Sequence, residues 1–501
     1  MRRSLRPFVI TFALLLALNL WWMLAIPRNG GPDEASHFRK AAATARGTLV
    51  GPQAAGFVPN VKAVKVPAAL DLTGESRFRP CFAGLEHRNV DAGCQQPPTG
   101  TGLTEQPTTA AKYPPLPYVF PGLVSLATSG YRLQYLMRFA HAIVVAAIEA
   151  WAILVVARGR RTPLARAGAL LALTPTAVFL GGVLNPNGFE NAAGLLAWAG
   201  GLALATGGDE RRDRRALAAL VAGSVLLSLA RPLSSLWTAA ILVSVVWLAG
   251  GERARQLARR RSVRRGLVAI GASVLLAIAW FFGAGLTSSA DADVARTDAY
   301  ASIARSVAGR LSLFYRQAVG QFGWEEVFAP SVTMLAWTLG LGALVAISVL
   351  AGRRRYPLAI AGVLAVCIAF PTVIDLRQAR VSGLIWQGRY FLALAAGIPL
   401  VAGWAVEADR VPSFGTQRVT RLLGWLFVAG HVGGFVWALR RYMVGMDGSV
   451  WFWRGNGWKP PVPALALVVV ASATLALLAR WVLGTGRLTL SAALGSVDDD
   501  G

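Results

Sequence analysis

Repeated apolar runs of about 20 residues, separated by short loops dense in arginine, constrain this chain more than any other feature. A run of that length matches the hydrocarbon thickness of a bilayer. In lipid each backbone N–H and C=O must be satisfied internally, which leaves the helix as the economical solution for an uninterrupted apolar stretch. Only 15% of the residues are charged, against about 25% in soluble proteins. The net charge of +25 comes almost entirely from Arg. In a soluble chain that excess would point to nucleic acid. Here the arginines sit between apolar runs, the positive-inside pattern, so anionic lipid headgroups are the expected partners and nucleic acid is not.

Arg2, Arg3 and Arg6 place the N-terminus inside. The run 8–26 is longer than a signal-peptide core, and Pro27-Arg28-Asn29 lacks a small-x-small cleavage site, so it reads as a retained span. Further spans are expected at about 131–157, 164–184, 189–206, 266–286, 331–351, 356–374, 389–406, 420–439 and 461–483. Two shorter helices within 216–249 fold back at Ala230-Arg231-Pro232. The expected fold is an all-α polytopic bundle of about twelve transmembrane helices with both termini inside. The basic loops Arg158–Arg161, Arg211–Arg215, Arg253–Arg265 and Arg353–Arg355 lie on the inner side. Residues 27–130 and 287–330 form outer loops. The chain divides into 1–440 and a C-terminal part, 441–501, with a Trp-rich outer loop (Trp451, Trp453, Trp458), a last span and the acidic tail Asp498-Asp499-Asp500. There is no internal repeat.

The long first outer loop begins with a predicted helix over 32–46. Pro suits the first helical turn, Asp and Glu suit its positive end, and Gly47 suits the C-terminal cap. Residues 47–110 are rich in Pro, Gly and Thr and predict an irregular subdomain. Cys81 and Cys94 share this loop on the oxidising side and are expected to pair, whereas Cys367 lies in an apolar run as a small core residue. Two Cys without a nearby second pair make a weak case for zinc. Tyr113-Pro114-Pro115 reads as extended chain before a short apolar helix over 119–127. In the second outer loop Tyr300, Ile303, Val307, Leu311, Phe314 and Ala318 recur at helical spacing, predicting an amphipathic helix along the membrane surface.

Asp33, Glu34, His37 and Lys40 are the densest packet of ionisable groups beside a predicted span. As plain structure, the two acids stabilise a helix N-terminus by about 0.3–1 kcal/mol each. As a site, Asp33 is a base for an acceptor hydroxyl, with His37 and Lys40 following on the same helix face. Arg138 and His141 fall one turn apart in the second predicted span, with Glu149 on roughly the same stripe. They are either an internal Arg138–Glu149 pair or an anion site. Asn185 and Asn187 suit a turn and an N-cap, while Glu190 points into the top of the bundle. Arg231, at a Pro-broken hairpin in an apolar stretch, calls for a planar anion such as phosphate. Gln387, Arg389 and Tyr390 read as an interfacial anchor or a phosphate or sugar site.

The ordered set Pro32-Asp33-Glu34-x-x-His37-Phe38, Tyr113-Pro114-Pro115, Asn185-Pro186-Asn187-Gly188-x-Glu190, Arg231-Pro232 and Gln387-Gly388-Arg389-Tyr390-Phe391 resembles the bacterial family of predicted membrane proteins called domain-of-unknown-function family 2142 (DUF2142). That family is grouped with the GT-C glycosyltransferase superfamily, and the resemblance covers roughly residues 8–440. It implies a GT-C-like fold in the bacterial cytoplasmic membrane, with the active site facing outside. It also implies a polyprenyl-phosphate sugar donor, and an Asp or Asp-Glu pair in the first outer loop beside a juxtamembrane helix. By resemblance Asp33 is the base and Glu34 a helper or metal ligand. Use of a divalent metal varies across the superfamily and stays open here. The sequence has no large soluble C-terminal domain, so acceptor recognition falls to the outer loops.

The expected function is transfer of a sugar from a polyprenyl-phosphate donor to a cell-envelope glycan or lipid-linked acceptor. Arg231, Arg389 and Arg138 hold the donor phosphate, and Lys40, Tyr113, His141, Asn187, Glu190, Gln387 and Tyr390 complete the substrate-binding set. The alternative is a transporter or flippase for a lipid-linked or anionic solute. The missing repeat and the polar groups gathered at outer ends rather than midplane speak against it.

Overall fold

The computed structural model describes residues 2–484, except 59, 73–76, 99, 159–162, 208, 287–299, 383, 385 and 407–412. The acidic tail, Arg160, Arg161 and the start of the second outer loop therefore lie outside the described residues. The chain is an all-α membrane bundle. Eight of the described helices are long and apolar enough to cross a membrane. They include α1 (Arg2–Ala25) at the N-terminus and, later in the chain, α4 (Leu133–Ala157). A ninth crossing results if α5 (Pro163–Ala172) and α6 (Pro175–Gly182), bent by 57° relative to each other, form one span. The bend has a local cause. Thr174 caps α6, its hydroxyl accepting from Ala177 N at 3.1 Å, and Pro175 takes the first position.

The expected count of twelve is not reached on length and apolarity. Three expected spans fall short: α7 (Pro186–Thr206), α8 (Glu210–Ser228) and the broken stretch over 388–404. The reason lies in packing. Helix α7 is buried along nearly its whole length and is surrounded by protein rather than lipid, so it admits Asn187, Glu190 and Asn191 in its first turns and many Ala and Gly among its leucines. A Cβ on Gly200 would lie 2.3 Å from Leu220 N, and one on Gly223 of α8 would lie 2.4 Å from Ala197 N. The two backbones touch. Helix α8 opens with Glu210-Arg211-Arg212-Asp213 and is tied at that end to α9 (Ser234–Arg259), where Asp213 pairs with Arg253 at 2.8 Å and with Arg260 at 2.6 Å.

At the opposite end of the bundle sits a cap formed by the first loop. It starts with α2 (Glu34–Ala45), two residues in from the predicted range at its start and one at its end, and Gly47 adopts φ 82° just beyond it. The region expected to be irregular contains an antiparallel pair, β1 (Lys62–Pro67) with β2 (Leu103–Thr108), in which Lys65 faces Glu105. Cys81 and Cys94 are joined, with Cα atoms 6.2 Å apart. Cys367 is buried and unpaired. Helix α3 (Leu116–Ala127) matches the short apolar segment.

The chain continues through α10 (Arg261–Gly283). The expected amphipathic helix is two pieces, α11 (Tyr300–Gly309) and α12 (Leu311–Gly320). They break at Arg310, whose guanidinium donates to Leu384 O at 3.0 Å and Trp386 O at 3.1 Å. Val307, Phe314 and Ala318 face protein; Leu311 stays exposed. A small hairpin follows, β3 (Gln321–Phe322) with β4 (Val327–Phe328). Then come α13 (Ser331–Ala351), α14 (Arg355–Ser382), the short α15 (Leu392–Ala395) and α16 (Gly397–Trp404), α17 (Ser413–Val444) and α18 (Ala464–Leu483). Helix α17 runs across the expected division at 440. From it Arg441 donates to Phe82 O at 2.6 Å, Val90 O at 2.7 Å and His87 O at 3.0 Å, clamping the disulfide loop to the bundle.

Candidate functional site

The five motif segments come from distant parts of the chain and meet where the cap joins the bundle. The turn before α2 sets the arrangement. Asp33 takes left-handed backbone (φ 56°, ψ 16°) as the residue preceding the helix. This turns its side chain and that of Glu34 in different directions. The Asp33 side chain is 48% exposed and reaches Arg389 Nη2 at 3.3 Å. The Glu34 side chain is fully buried.

Glu34 forms a two-point pair with Arg138, at 2.7 Å to Nε and 2.6 Å to Nη2, and also accepts from Gly31 N at 3.0 Å and Leu184 N at 2.9 Å. Arg138 spends its other donors on the carbonyls of Met23, Ile26 and Pro27. Two expectations change. The partner of Arg138 is Glu34 and not Glu149, and Glu34 is a girder of the site with no oxygen to offer substrate or metal. His141 is buried with Nε2 3.3 Å from Leu180 O. It joins Arg138 in no open anion site. Lys40 is buried as well, donating to Ala111 O at 2.8 Å and to Leu49 O, and burial lowers its pKa to about 7. It faces the cap interior rather than a substrate.

The Asn185-Pro186-Asn187 turn is locked to the Asp33 turn, since Asn185 Nδ2 donates to Pro32 O at 2.9 Å. One turn into α7, Glu190 is buried. Its Oε1 accepts from Ser234 Oγ at 2.6 Å, and its Oε2 from Asn187 Nδ2 at 3.1 Å and Arg231 Nη1 at 3.3 Å. The Arg231 guanidinium lies over the Tyr390 ring at 4.5 Å and near the Tyr113 ring at 5.8 Å. His37 Nδ1 shares a hydrogen bond with Tyr118 Oη at 2.9 Å. Burial, reinforced by the positive charges of Arg231 and Arg389, holds the His37 imidazole well below its usual range. It is neutral at pH 7.

Gln387 to Tyr390 form a tight turn against α12. A Cβ on Gly388 would lie 2.0 Å from Phe314 O, so only glycine fits there, and Gly388 N donates to Gln317 Oε1 at 2.7 Å. That close approach aims Arg389 at Asp33. The other side of Arg389 meets a residue the sequence reading missed, Glu325, with Nη1 to Oε1 at 3.5 Å. Glu325 sits in the β3–β4 turn with φ 73°. The acidic pair Glu325-Glu326 after Gly323-Trp324 was its only signal. Pro32, Gln317, Glu325, Gln387 and Arg389 border a cavity of about 10 Å³, the size of one water. Arg231 Nε, Arg389 Nε and Gln387 Oε1 are buried without a hydrogen-bond partner in the protein.

The cluster thus offers one half-exposed carboxylate, two guanidiniums with N–H groups to spare, a neutral imidazole and two phenols. Chemically it can accept a proton at Asp33 and hold an anion at Arg231 and Arg389. Among the described residues no three His, Cys, Asp or Glu side chains group as metal ligands. Asp33 and Glu325 are the two carboxylates that flank Arg389.

A family model described as "Predicted membrane protein (DUF2142)" matches residues 16–398, which contain all five segments. A search of curated proteins found no match.

Proposed function

The chain belongs to the DUF2142 family of predicted membrane proteins, and from that starting point we propose that it is a glycosyltransferase of the GT-C type. It moves a sugar from a polyprenyl-phosphate donor to a cell-envelope glycan or lipid-linked acceptor on the outer face of the bacterial cytoplasmic membrane. One observation carries the reading. Segments from the first loop, α7, the α8–α9 turn and the 387–390 turn bring Asp33, Arg231 and Arg389 to one polar cluster at the cap end of the bundle, remote from Arg158 after α4 and from the Arg-rich start of α8.

In this reading the acceptor oxygen attacks the anomeric carbon as its proton passes to the Asp33 carboxylate. The bond from that carbon to the donor phosphate breaks, and the polyprenyl phosphate leaves with the bonding pair. Arg389 and Arg231 carry charge at the position where the phosphate gains it, which is where preorganised donors contribute most. Glu190, Asn187, Ser234 and Tyr390 hold Arg231 in place, and Glu325 with Gln387 borders Arg389. Glu34 and Arg138 fix the turn that presents Asp33. If a divalent metal takes part, Asp33 and Glu325 are the carboxylates at hand, with phosphate oxygens and water completing the set.

The test is purified protein in lipid nanodiscs incubated with a panel of polyprenyl-phosphate sugars and read by mass spectrometry. Release of polyprenyl phosphate with appearance of a glycosylated acceptor supports the reading. No turnover of any donor, together with movement of intact lipid-linked sugar across liposomes, overturns it in favour of transport.

A further inference from the structure

A second, larger cavity lies in the cap, apart from the Asp33 cluster. It has a volume of about 710 Å³, within the usual range of ligand pockets. One wall is the disulfide loop from Pro80 to Gln96, held by the Cys81–Cys94 bond and by Arg441. The other is built from Arg28 and Asn29 after α1 and from Gln134 in the first turn of α4.

Two features of this lining point to a ligand. Asn29 and Gln134 are both 2% exposed, yet Asn29 Oδ1 and Gln134 Oε1 have no hydrogen-bond partner in the protein. Leaving a buried amide oxygen unsatisfied costs about 1–3 kcal/mol, and two on one cavity wall mark a place built to bind polar groups. Asn29 is also held in left-handed backbone (φ 57°).

The second feature is charge. Both carboxylates in the wall are already matched by a cation: Arg79 pairs with Glu86 at 3.8 Å and Asp71 with Arg39 at 3.3 Å, while Arg28 donates to the neutral Gln96 O at 3.0 Å and lies 4.5 Å from the Tyr131 ring. What remains besides Arg28, whose guanidinium is already engaged by a carbonyl and a ring, are amides, which donate and accept. A lining with several amides and a single such cation suits a neutral, hydroxyl-rich molecule better than a polyanion.

The cavity is also joined to the Asp33 cluster. The Trp324 indole donates to Asn29 O at 3.0 Å and lies under Arg79 at 5.6 Å, and the next residue, Glu325, reaches Arg389. Asn29 itself lies in the turn over 27–30, directly before the turn over 31–34 that holds Asp33. A ligand in the cavity therefore touches the elements that carry the proton acceptor.

We propose that this cavity binds a neutral saccharide, the glycan portion of the acceptor, with the Asn29 and Gln134 amides bonding its hydroxyls. The word acceptor rests on the transferase reading; the saccharide site does not. The test uses the full chain in nanodiscs and saturation-transfer NMR titrations with neutral gluco-, manno- and galacto-oligosaccharides, set against uronate and phosphorylated counterparts. Saturable binding of a neutral member is expected. It should weaken at least tenfold in Gln134→Leu and severalfold in the more accessible Gln95→Ala, whose folding is checked by thermal melting. The proposal is overturned if no neutral member binds, if both variants bind like wild type, or if the anionic sugars bind more tightly. In a parallel transfer assay both variants should raise the acceptor KM with kcat nearly unchanged. Saccharide binding without transfer from any donor overturns the transferase reading and leaves the cavity standing. Transfer with unchanged acceptor KM in both variants overturns the cavity and leaves the transferase standing.

Discussion

Asp33 and Glu325 hold the two terminal nitrogens of Arg389, at 3.3 and 3.5 Å, and both do so from left-handed backbone. Such a conformation costs a non-glycine residue about 1–3 kcal/mol and persists only where the surroundings enforce it. Two strained carboxylates on one cation, with an N–H of that cation left unpaired, describe a place where backbone stability has been exchanged for the placement of charge.

Asp33→Asn tests the proton acceptor. Asn tolerates left-handed backbone and precedes helices about as well as Asp, so fold and melting temperature should hold. Turnover should fall about a hundredfold or more. Near-wild-type turnover would reduce Asp33 to a helix-starting residue.

Glu325→Gly separates strain from function. Glycine adopts φ 73° freely, so thermal stability should stay level or rise. Turnover should drop because Arg389 loses one of its two anchors. A variant both as stable and as active as wild type would show that Glu325 does not position Arg389.

Arg231→Lys tests the donor site without emptying it. The lysine still supplies a cation to buried Glu190, so the protein should fold. A point charge cannot reproduce a planar fork stacked on Tyr390, so donor binding should weaken at least tenfold. Arg231→Ala is less informative. It leaves Glu190 buried beside no cation and should unfold the α8–α9 turn. Donor affinity unchanged in the Lys variant would remove Arg231 from phosphate recognition.

Glu34→Gln probes the girder. It leaves Arg138, wholly buried, without its counter-charge, and breaking one side of such a pair costs on the order of 3–5 kcal/mol. Lower yield and a clear drop in melting temperature are expected. A wild-type melting curve with lost turnover would instead make Glu34 a participant in the reaction.

Glu326 gives a pH signature. It is buried beside Arg441 at 4.0 Å, and burial raises its pKa from the usual 4.5 to about 7. The folded state therefore holds a proton that the unfolded chain gives up between these values. The associated stability is present below about pH 4.5 and is lost as pH rises through 7. Melting temperature should fall across that window in wild type, relative to Glu326→Gln. Parallel curves for the two proteins would argue that Glu326 is already ionised when folded.

Much of this was readable from sequence, for identifiable reasons. Long apolar runs have one solution in lipid. Pro32 through Gly47 carries both ends of α2 in its own composition, and Cys81 and Cys94 share one loop. The ordered motifs named Asp33, Arg231 and Arg389, although nothing local told how they meet. The failures are of the non-local kind. Arg138 and Glu149 share a helix stripe but lie eleven residues apart, about 16 Å along the axis, so the ion pair forms with Glu34 of another element. Strand β1 finds its partner across the whole disulfide loop, with no turn to announce it. Thr174-Pro175 did announce the α5–α6 break, but the apolar run was read through it.

The clamp of Arg441 on the disulfide loop has a consequence for what counts as the working unit. The family match ends at residue 398, and the proposed reacting groups all precede that point. Yet the wall of the proposed saccharide cavity is fastened by a side chain near the end of α17, through three carbonyls at 82, 87 and 90. Evolutionary boundary and mechanical boundary therefore differ. A protein shortened to the matched region would keep its chemistry on paper and lose the hinge-pin of its cap.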